Sequence, residues 1–339
     1  MLELFKQFPE LHKNIPHKQL GDFPTPVIRL DGLEKELRKS GIYCKLDGVS
    51  AKLYGGNKIR KLEFLIGDAL AQGADIIITA GASQSNHCRQ TAAAAARAGL
   101  DCVLVLGGEP PSTPCGNLLL DTLLGAEIQW SGPDRRGGKL EAIAGEMKAA
   151  RRRPYVVPYG GSNAIGAAGY VLAMQELGEQ RSGDISLPAI DRIVIPSSSG
   201  ATQAGLVVGA HAVGFRGQIL GIGIDKGEAG DDPYPIRLAQ MANATASLLN
   251  MGAVFHPDDF VVNQDYLGGG YGVVGELERE AIRLTARLEG LLLDPVYTGR
   301  AMGGLIDMVR RGLISPDETI LFWHTGGMPA LFAYADVLV

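Results

Sequence analysis

The stretch IIITAGASQSNHCRQTAAAAARAGLDCVLVL, residues 76–106, decides the fold. Its two ends, Ile76-Ile77-Ile78-Thr79 and Cys102-Val103-Leu104-Val105-Leu106, are continuously apolar and β-branched rather than alternating, which is how strands buried on both faces read. Between them lies an alanine-rich segment of helical length, 85–98. Working outward, the same alternation recurs. Apolar runs stand at Tyr155-Val156-Val157-Pro158, Ile193-Val194-Ile195, Ile219-Leu220-Gly221-Ile222 and Thr319-Ile320-Leu321-Phe322, and helical patterns at 138–151 and 271–289. The class is therefore α/β, with parallel sheets flanked by helices. The chain has 339 residues, more than one domain of typical size needs. No repeat and no flexible linker divides it, so a second domain is expected to be inserted rather than tethered.

Composition narrows the function. Apolar residues make up 46% and charged residues 20%, which fits a compact protein of enzyme size and excludes a disordered chain. The 46 glycines are roughly twice the ~7% average, as tight strand-to-helix turns and close backbone approach to a ligand require. A net charge of −5 with no basic cluster argues against nucleic acid or an anionic membrane as the main partner. Cys44, Cys88, Cys102 and Cys115 have no C-x-x-C pairing and no zinc-ligand spacing, so reduced buried thiols and no metal are expected. The opening MLELFKQFPELHKNIPHKQL holds charges and prolines but no apolar core of a secretory signal, and no run approaches the ~18 apolar residues of a membrane span. A soluble cytoplasmic protein is the expectation.

In sheets of this kind ligands sit where strand ends meet helix starts, and there the sequence places its unusual residues. Ser197-Ser198-Ser199-Gly200-Ala201-Thr202 follows a buried strand and precedes a helical pattern at 203–213. Its amides, hydroxyls and positive helix end suit one phosphate, although a serine-capped helix start reads the same way. It matches neither G-x-x-x-x-G-K-[ST] nor G-x-G-x-x-G, so a nucleoside triphosphate or dinucleotide is not indicated. Gly55-Gly56-Asn57-Lys58 puts a lysine at a positive helix end, which is unfavourable unless its amine is tied up as an imine or the side chain reaches water. Gln84-Ser85-Asn86-His87 offers groups for a carboxylate, a ring hydroxyl or a leaving group, or forms another capping turn. Tyr297 could stack on a cofactor ring and Thr325, in His324-Thr325-Gly326-Gly327, could meet a pyridine nitrogen; both could equally be core and turn.

Together the segments Gly55-Gly56-Asn57-Lys58-Ile59-Arg60-Lys61-Leu62-Glu63, Gln84-Ser85-Asn86-His87, Leu293-Asp294-Pro295-Val296-Tyr297-Thr298-Gly299 and His324-Thr325-Gly326-Gly327 resemble the D-cysteine desulfhydrase and 1-aminocyclopropane-1-carboxylate deaminase family. The resemblance runs from Phe23-Pro24-Thr25-Pro26 to Ala330-Leu331-Phe332. It implies the two-domain, tryptophan-synthase-β type of pyridoxal-phosphate fold (fold type II), with a small domain at 61–170 inserted into a large one made of 1–60 and 171–339, and a homodimer. It further implies that Lys58 carries the Schiff base, that Ser199, Gly200, Ala201 and Thr202 hold the phosphate, and that Asn57 belongs to the cofactor site. Asn86 would meet the ring hydroxyl, Ser85 the substrate carboxylate or α-carbon region, and Tyr297 the ring face. Tyr271 matches a second tyrosine near the substrate, with Gln84 and His87 at hand for substrate binding.

Deaminases of this family carry glutamate where this chain has Thr298 and leucine where it has Thr325. A carboxylate facing the pyridine nitrogen deepens the electron sink, whereas a neutral hydroxyl does not, and β-elimination of a good leaving group demands less of the ring. Both threonines therefore point to a β-eliminating lyase with D-cysteine as leading substrate. The alternatives are L-cysteate with sulfite release, ring-opening deamination, and a cofactor-binding pseudoenzyme. The chain departs from the family at Leu46 and Gly48, where an arginine and a carboxylate are usual, at Lys52, and at Arg300, which replaces a lysine.

Overall fold

The computed structural model describes residues 15–51, 55–182, 187–225 and 232–339; Lys52 lies outside them. Ten strands form two sheets among the described residues: β1 (Val27–Arg29), β2 (Ile42–Leu46), β3 (Ile76–Ala82), β4 (Asp101–Gly107), β5 (Glu127–Trp130), β6 (Pro154–Val156), β7 (Arg192–Ser197), β8 (Gln218–Gly223), β9 (Val261–Asn263) and β10 (Ile320–His324). The six-stranded sheet has the order β1-β2-β10-β7-β8-β9, and the four-stranded sheet β5-β4-β3-β6. Every pairing is parallel except β1 with β2. The deciding stretch is indeed a strand, a helix and a parallel strand, with Ile76 opposite Asp101 and Ala82 opposite Gly107.

The helices are α1 (Asp31–Leu37), α2 (Asn57–Ala71), α3 (Asn86–Ala98), α4 (Gly116–Leu123), α5 (Leu140–Ala149), α6 (Ala164–Ser182), α7 (Ala201–Val213), α8 (Tyr234–Leu248), α9 (Glu276–Glu289), α10 (Thr298–Arg310) and α11 (Ala335–Leu338). None of them is long and apolar enough to cross a membrane. The strands of the smaller sheet all fall between Ile76 and Val156, so the chain leaves the larger sheet through α2 and returns through α6. These two helices and α7 are almost wholly buried where they meet. The helical pattern expected over 271–289 begins only at Glu276, because Gly270 (φ 111°) and Gly272 (φ 73°) hold the preceding turn in left-handed backbone. Of the four thiols, Cys44, Cys88 and Cys102 are buried, and all four are free.

Beneath the start of α2 the sheets and helices enclose a set of charges. Asp47 is fully buried and accepts from Arg60 Nε (3.0 Å) and Nη2 (2.8 Å), Tyr170 Oη (2.7 Å) and Trp323 Nε1 (2.8 Å). Glu176 on α6 accepts from Arg60 Nη1 (2.9 Å), from the amide of Thr25 (2.9 Å) and from Lys45, which also donates to Gln180 (2.7 Å). The guanidinium of Arg60 holds both carboxyls below the usual carboxylate range against the opposing effect of burial. This cluster joins β2, α2, α6 and β10 at one point, two residues from Lys58.

Candidate active site

Each unusual turn of the sequence lies at the carboxyl end of a strand or the first turn of a helix, and all face one another across the line between the sheets. α2 starts from Gly56, whose φ of 144° excludes most side chains, and whose missing Cβ leaves room for Gln90. Gln90 accepts from the Lys58 amide (3.1 Å) and donates to the Asn86 carbonyl (3.1 Å), which ties the start of α2 to that of α3. Ser85 caps α3 by accepting from the Cys88 amide (3.2 Å). α7 starts from Gly200 (φ 102°), which has no side chain to cap it, and the Ala201 amide of its first turn is met only at 3.4 Å by Ser162 Oγ, so this helix start can still take an outside acceptor.

The cleft between these ends is lined by groups from all four turns. Asn57, Lys58, Asn86, His87, Ser199, Gly200, Thr202, Tyr297 and Thr325 line it, with Pro196, Ser197, Ser198 and Gln203 behind. No carboxylate is among these described residues. Lys58 Nζ donates to the Gly160 carbonyl (3.2 Å). Ser162 Oγ donates to Ser199 Oγ (2.7 Å) and accepts from the Ala201 amide (3.4 Å), and Asn57 Nδ2 reaches Thr202 Oγ1 (3.3 Å).

Some expected residues stand one step back. Thr298 is fully buried and its hydroxyl is engaged by Asp294, donating to Oδ1 (2.9 Å) and accepting from the amide (2.7 Å). Burial raises that Asp294 carboxyl to about 6 despite four donors. The Gln84 side chain accepts from the Asn117 amide (2.9 Å) and donates to the Cys115 carbonyl (3.1 Å). Tyr271 meets Tyr297 edge to face, hydroxyl to hydroxyl at 2.9 Å. His87 Nε2 lies 2.8 Å from Thr79 Oγ1. Because that hydroxyl gives its proton to the Val157 carbonyl (2.8 Å), His87 must carry its own on Nε2, leaving Nδ1 bare, buried and without a hydrogen-bond partner among the described residues. Burial, with Lys58 and Lys61 nearby, pushes the imidazole well below its usual value, so it is neutral.

Sequence reading alone missed several neighbours. Lys61, one turn after Lys58, is buried and donates to the same Gly160 carbonyl (3.2 Å); burial and Lys58 push its amine well below the usual range. Arg135 lies over the Tyr271 ring at 4.0 Å, donates to Tyr159 Oη (2.6 Å) and pairs with Asp225. Arg300 is fully buried, pairs with Glu278 (2.6 Å) and donates to the carbonyls of Ile224, Gly270 and Val273 at 2.8 to 3.0 Å. It thereby holds the glycine turn that presents Tyr271, a task for a fork of donors and not for a single ammonium. Two of these carried a sequence signal: the spacing of Lys61 on the face of Lys58, and Arg300 as the departure from the family's lysine; what the sequence did not give was their partners.

An α/β fold that sets a lysine amine opposite a helix start, with hydroxyls around both, is suited to grip a phosphate-bearing carbonyl compound. The comparisons make that class specific. A family model described as pyridoxal-phosphate dependent enzyme matches residues 18–326, and the chain belongs to that family. The chain is 43% identical over 328 residues to a D-cysteine desulfhydrase of Salmonella choleraesuis (strain SC-B67), covering 94% of this chain and 96% of that protein. A crystal structure of an ACC deaminase homologue superposes with a TM-score of 0.87 at 35% identity, covering 100% of this chain and 98% of the other. Escherichia coli diaminopropionate ammonia lyase shares the fold at 17% identity and a TM-score of 0.68, covering 99% and 90%. The cofactor is pyridoxal phosphate. The residues present fit it: a helix start flanked by the Ser199 and Thr202 hydroxyls suits a phosphate, and a lysine amine on the wall of the same cleft suits an aldehyde.

Proposed function

We propose that the chain is a β-eliminating lyase that converts D-cysteine and water to pyruvate, sulfide and ammonia. The single observation carrying this choice is the absence of any carboxylate among the described residues lining the cleft, with Thr325 the neutral group available to a ring nitrogen. The likeness to a D-cysteine desulfhydrase supports it.

In this reading Ser199, Gly200, Ala201 and Thr202 bind the phosphate, with Asn57 steadying Thr202. Asn86 would donate to the ring oxygen, and Tyr297 would cover the ring face. Bound there, the cofactor offers an aldehyde for an amine and a ring that accepts the electron pair released beside it. Lys58 Nζ takes the α-proton from the substrate, and Lys61, whose amine burial and the neighbouring Lys58 push well below its usual range, holds its charge less firmly than a solvated lysine. Tyr271 and Tyr297, joined through their hydroxyls, stand ready to pass a proton to the departing thiolate. Ser85, at the start of α3, is the group assigned to the substrate carboxylate, while Gln84, held by Asn117 and Cys115, and His87, whose N–H goes to Thr79, support that side from behind. The hydroxyl of Thr298, through Asp294, fixes the turn on which Tyr297 sits. Residues 61–170 as an inserted unit, homodimeric assembly and a cytoplasmic location belong to the same reading.

The test is a panel of D-cysteine, L-cysteine, L-cysteate, D-serine and 1-aminocyclopropane-1-carboxylate, followed by sulfide, sulfite and keto-acid release. Sulfide and pyruvate from D-cysteine with the highest kcat/KM are expected. Turnover of the cyclopropane substrate alone would overturn the reading, and Lys58→Ala is expected to lose at least ~1,000-fold in kcat.

A further inference from the structure

Behind Asn86 the structure holds a line of side chains that none of the chemistry above uses. Asn117, on the first turn of α4, is fully buried. Its Oδ1 accepts from Arg89 Nε (2.7 Å), and its Nδ2 donates both to the Gln84 carbonyl (3.0 Å) and to Asn86 Oδ1 (2.8 Å). Arg89, also buried, further reaches the Gly55 carbonyl (3.4 Å). The order of donors and acceptors admits only one arrangement. A guanidinium has no acceptor, so the Asn117 atom facing it must be oxygen; its nitrogen then faces Asn86, whose near atom must also be oxygen. Asn86 Nδ2 is thereby turned to the other side, against the Gly327 turn at the edge of the cleft, and it makes no hydrogen bond among the described residues. Burial pulls Arg89 down only to about 10, so it remains a cation at neutral pH and polarises both amides in series.

We propose that Asn117, oriented by Arg89, is a positioning residue that fixes the Asn86 amide with its N–H side toward the cofactor ring. The inference rests on the reading that Asn86 meets the ring oxygen. A rigid, polarised N–H there favours the anionic form of that oxygen, and so sets the pH at which the bound cofactor changes colour.

Asn117→Asp tests this on the cofactor-loaded enzyme because it keeps the shape and reverses the polarity. Its carboxylate still accepts from Arg89 but offers Asn86 only an acceptor, so the Asn86 amide turns over and presents its carbonyl to the ring. The pH midpoint of the cofactor's visible absorbance should then rise by about one unit, or enter the accessible range from below, while kcat falls about tenfold. Asn117→Ala frees Asn86 without reversing it and should move the midpoint the same way by less, which keeps the test available should Asn117→Asp not fold. Asn86→Ala separates the two levels of inference. A midpoint that moves with Asn86→Ala but with neither Asn117 variant overturns the positioning role and leaves Asn86 in place; one that moves with none of the three overturns both.

Discussion

Two buried clusters of charge flank the cleft, and they differ in whether their carboxyl groups have partners. Around Asp47 and Glu176, below α2, every carboxylate oxygen accepts at least one hydrogen bond and Arg60 joins the two. Behind α3, Asp121 on α4 is just as buried, but neither of its oxygens has a hydrogen-bond partner among the described residues. Arg89 attracts it without touching it, and burial raises the Asp121 carboxyl to about 8. The same residue type at the same depth is therefore ionised in one place and protonated in the other. Partners, not burial, decide which.

The comparison breaks first where a partner is removed. Arg60→Met leaves Asp47 and Glu176 buried without their shared cation and should cost about 3–5 kcal/mol of unfolding free energy, measured by denaturant titration. Because both carboxyls lie below their unfolded values in the native protein, their contribution is present at neutral pH and is lost as the pH falls through and below the usual carboxylate range. The wild-type protein should thus lose stability toward acid more steeply than Arg60→Met. Equal acid slopes would show that the pairing stabilises nothing.

Asp121 gives the opposite slope. In the unfolded chain its carboxyl ionises near the usual value of about 4, whereas the native one keeps its proton until about pH 8, so stability falls as pH rises between those limits. Asp121→Asn is neutral in both states and should gain about 2–4 kcal/mol at neutral pH, with no gain at pH values below the usual carboxylate range. A variant that is less stable than wild type at neutral pH would mean that the native carboxylate is ionised and paired after all.

What the sequence made legible follows the same physics. The turns at 55–58, 84–87, 197–202 and 324–327 stood out because their residue types suit strand ends and helix starts, which is a local requirement, and the cleft brings members of all four together. The strand Ile42–Leu46 went unread because it contains Lys45, a residue that belongs in a core only when Glu176, 131 positions away, receives it. The long helix Ala164–Ser182 was equally silent. Its Gly166 and Gly169 pack directly on the backbone of Gly161 and Arg60, a contact that no periodicity records. Asn117 and Asp121, four apart on a leucine-rich helix, are polar residues on a buried face; that spacing was a signal of interior polarity, although their partners were not in it.

A third buried cation sharpens the comparison at smaller scale. Arg300 uses its whole fork: Nε to Glu278, Nη1 to the Ile224 and Gly270 carbonyls, and Nη2 to that of Val273. Arg300→Lys keeps the charge beside Glu278 but replaces a planar fork by one nitrogen, which cannot reach three carbonyls and a carboxylate spread around the guanidinium plane. At least one carbonyl loses its donor, so the expected cost is about 1–2 kcal/mol, below that of Arg60→Met because no carboxylate is abandoned. The carbonyls of Gly270 and Val273 bracket Tyr271, so the loss should loosen that tyrosine and raise KM for D-cysteine more than it lowers kcat. A cost as large as that of Arg60→Met, with an unchanged KM, would show that charge placement rather than the number of donors holds this turn.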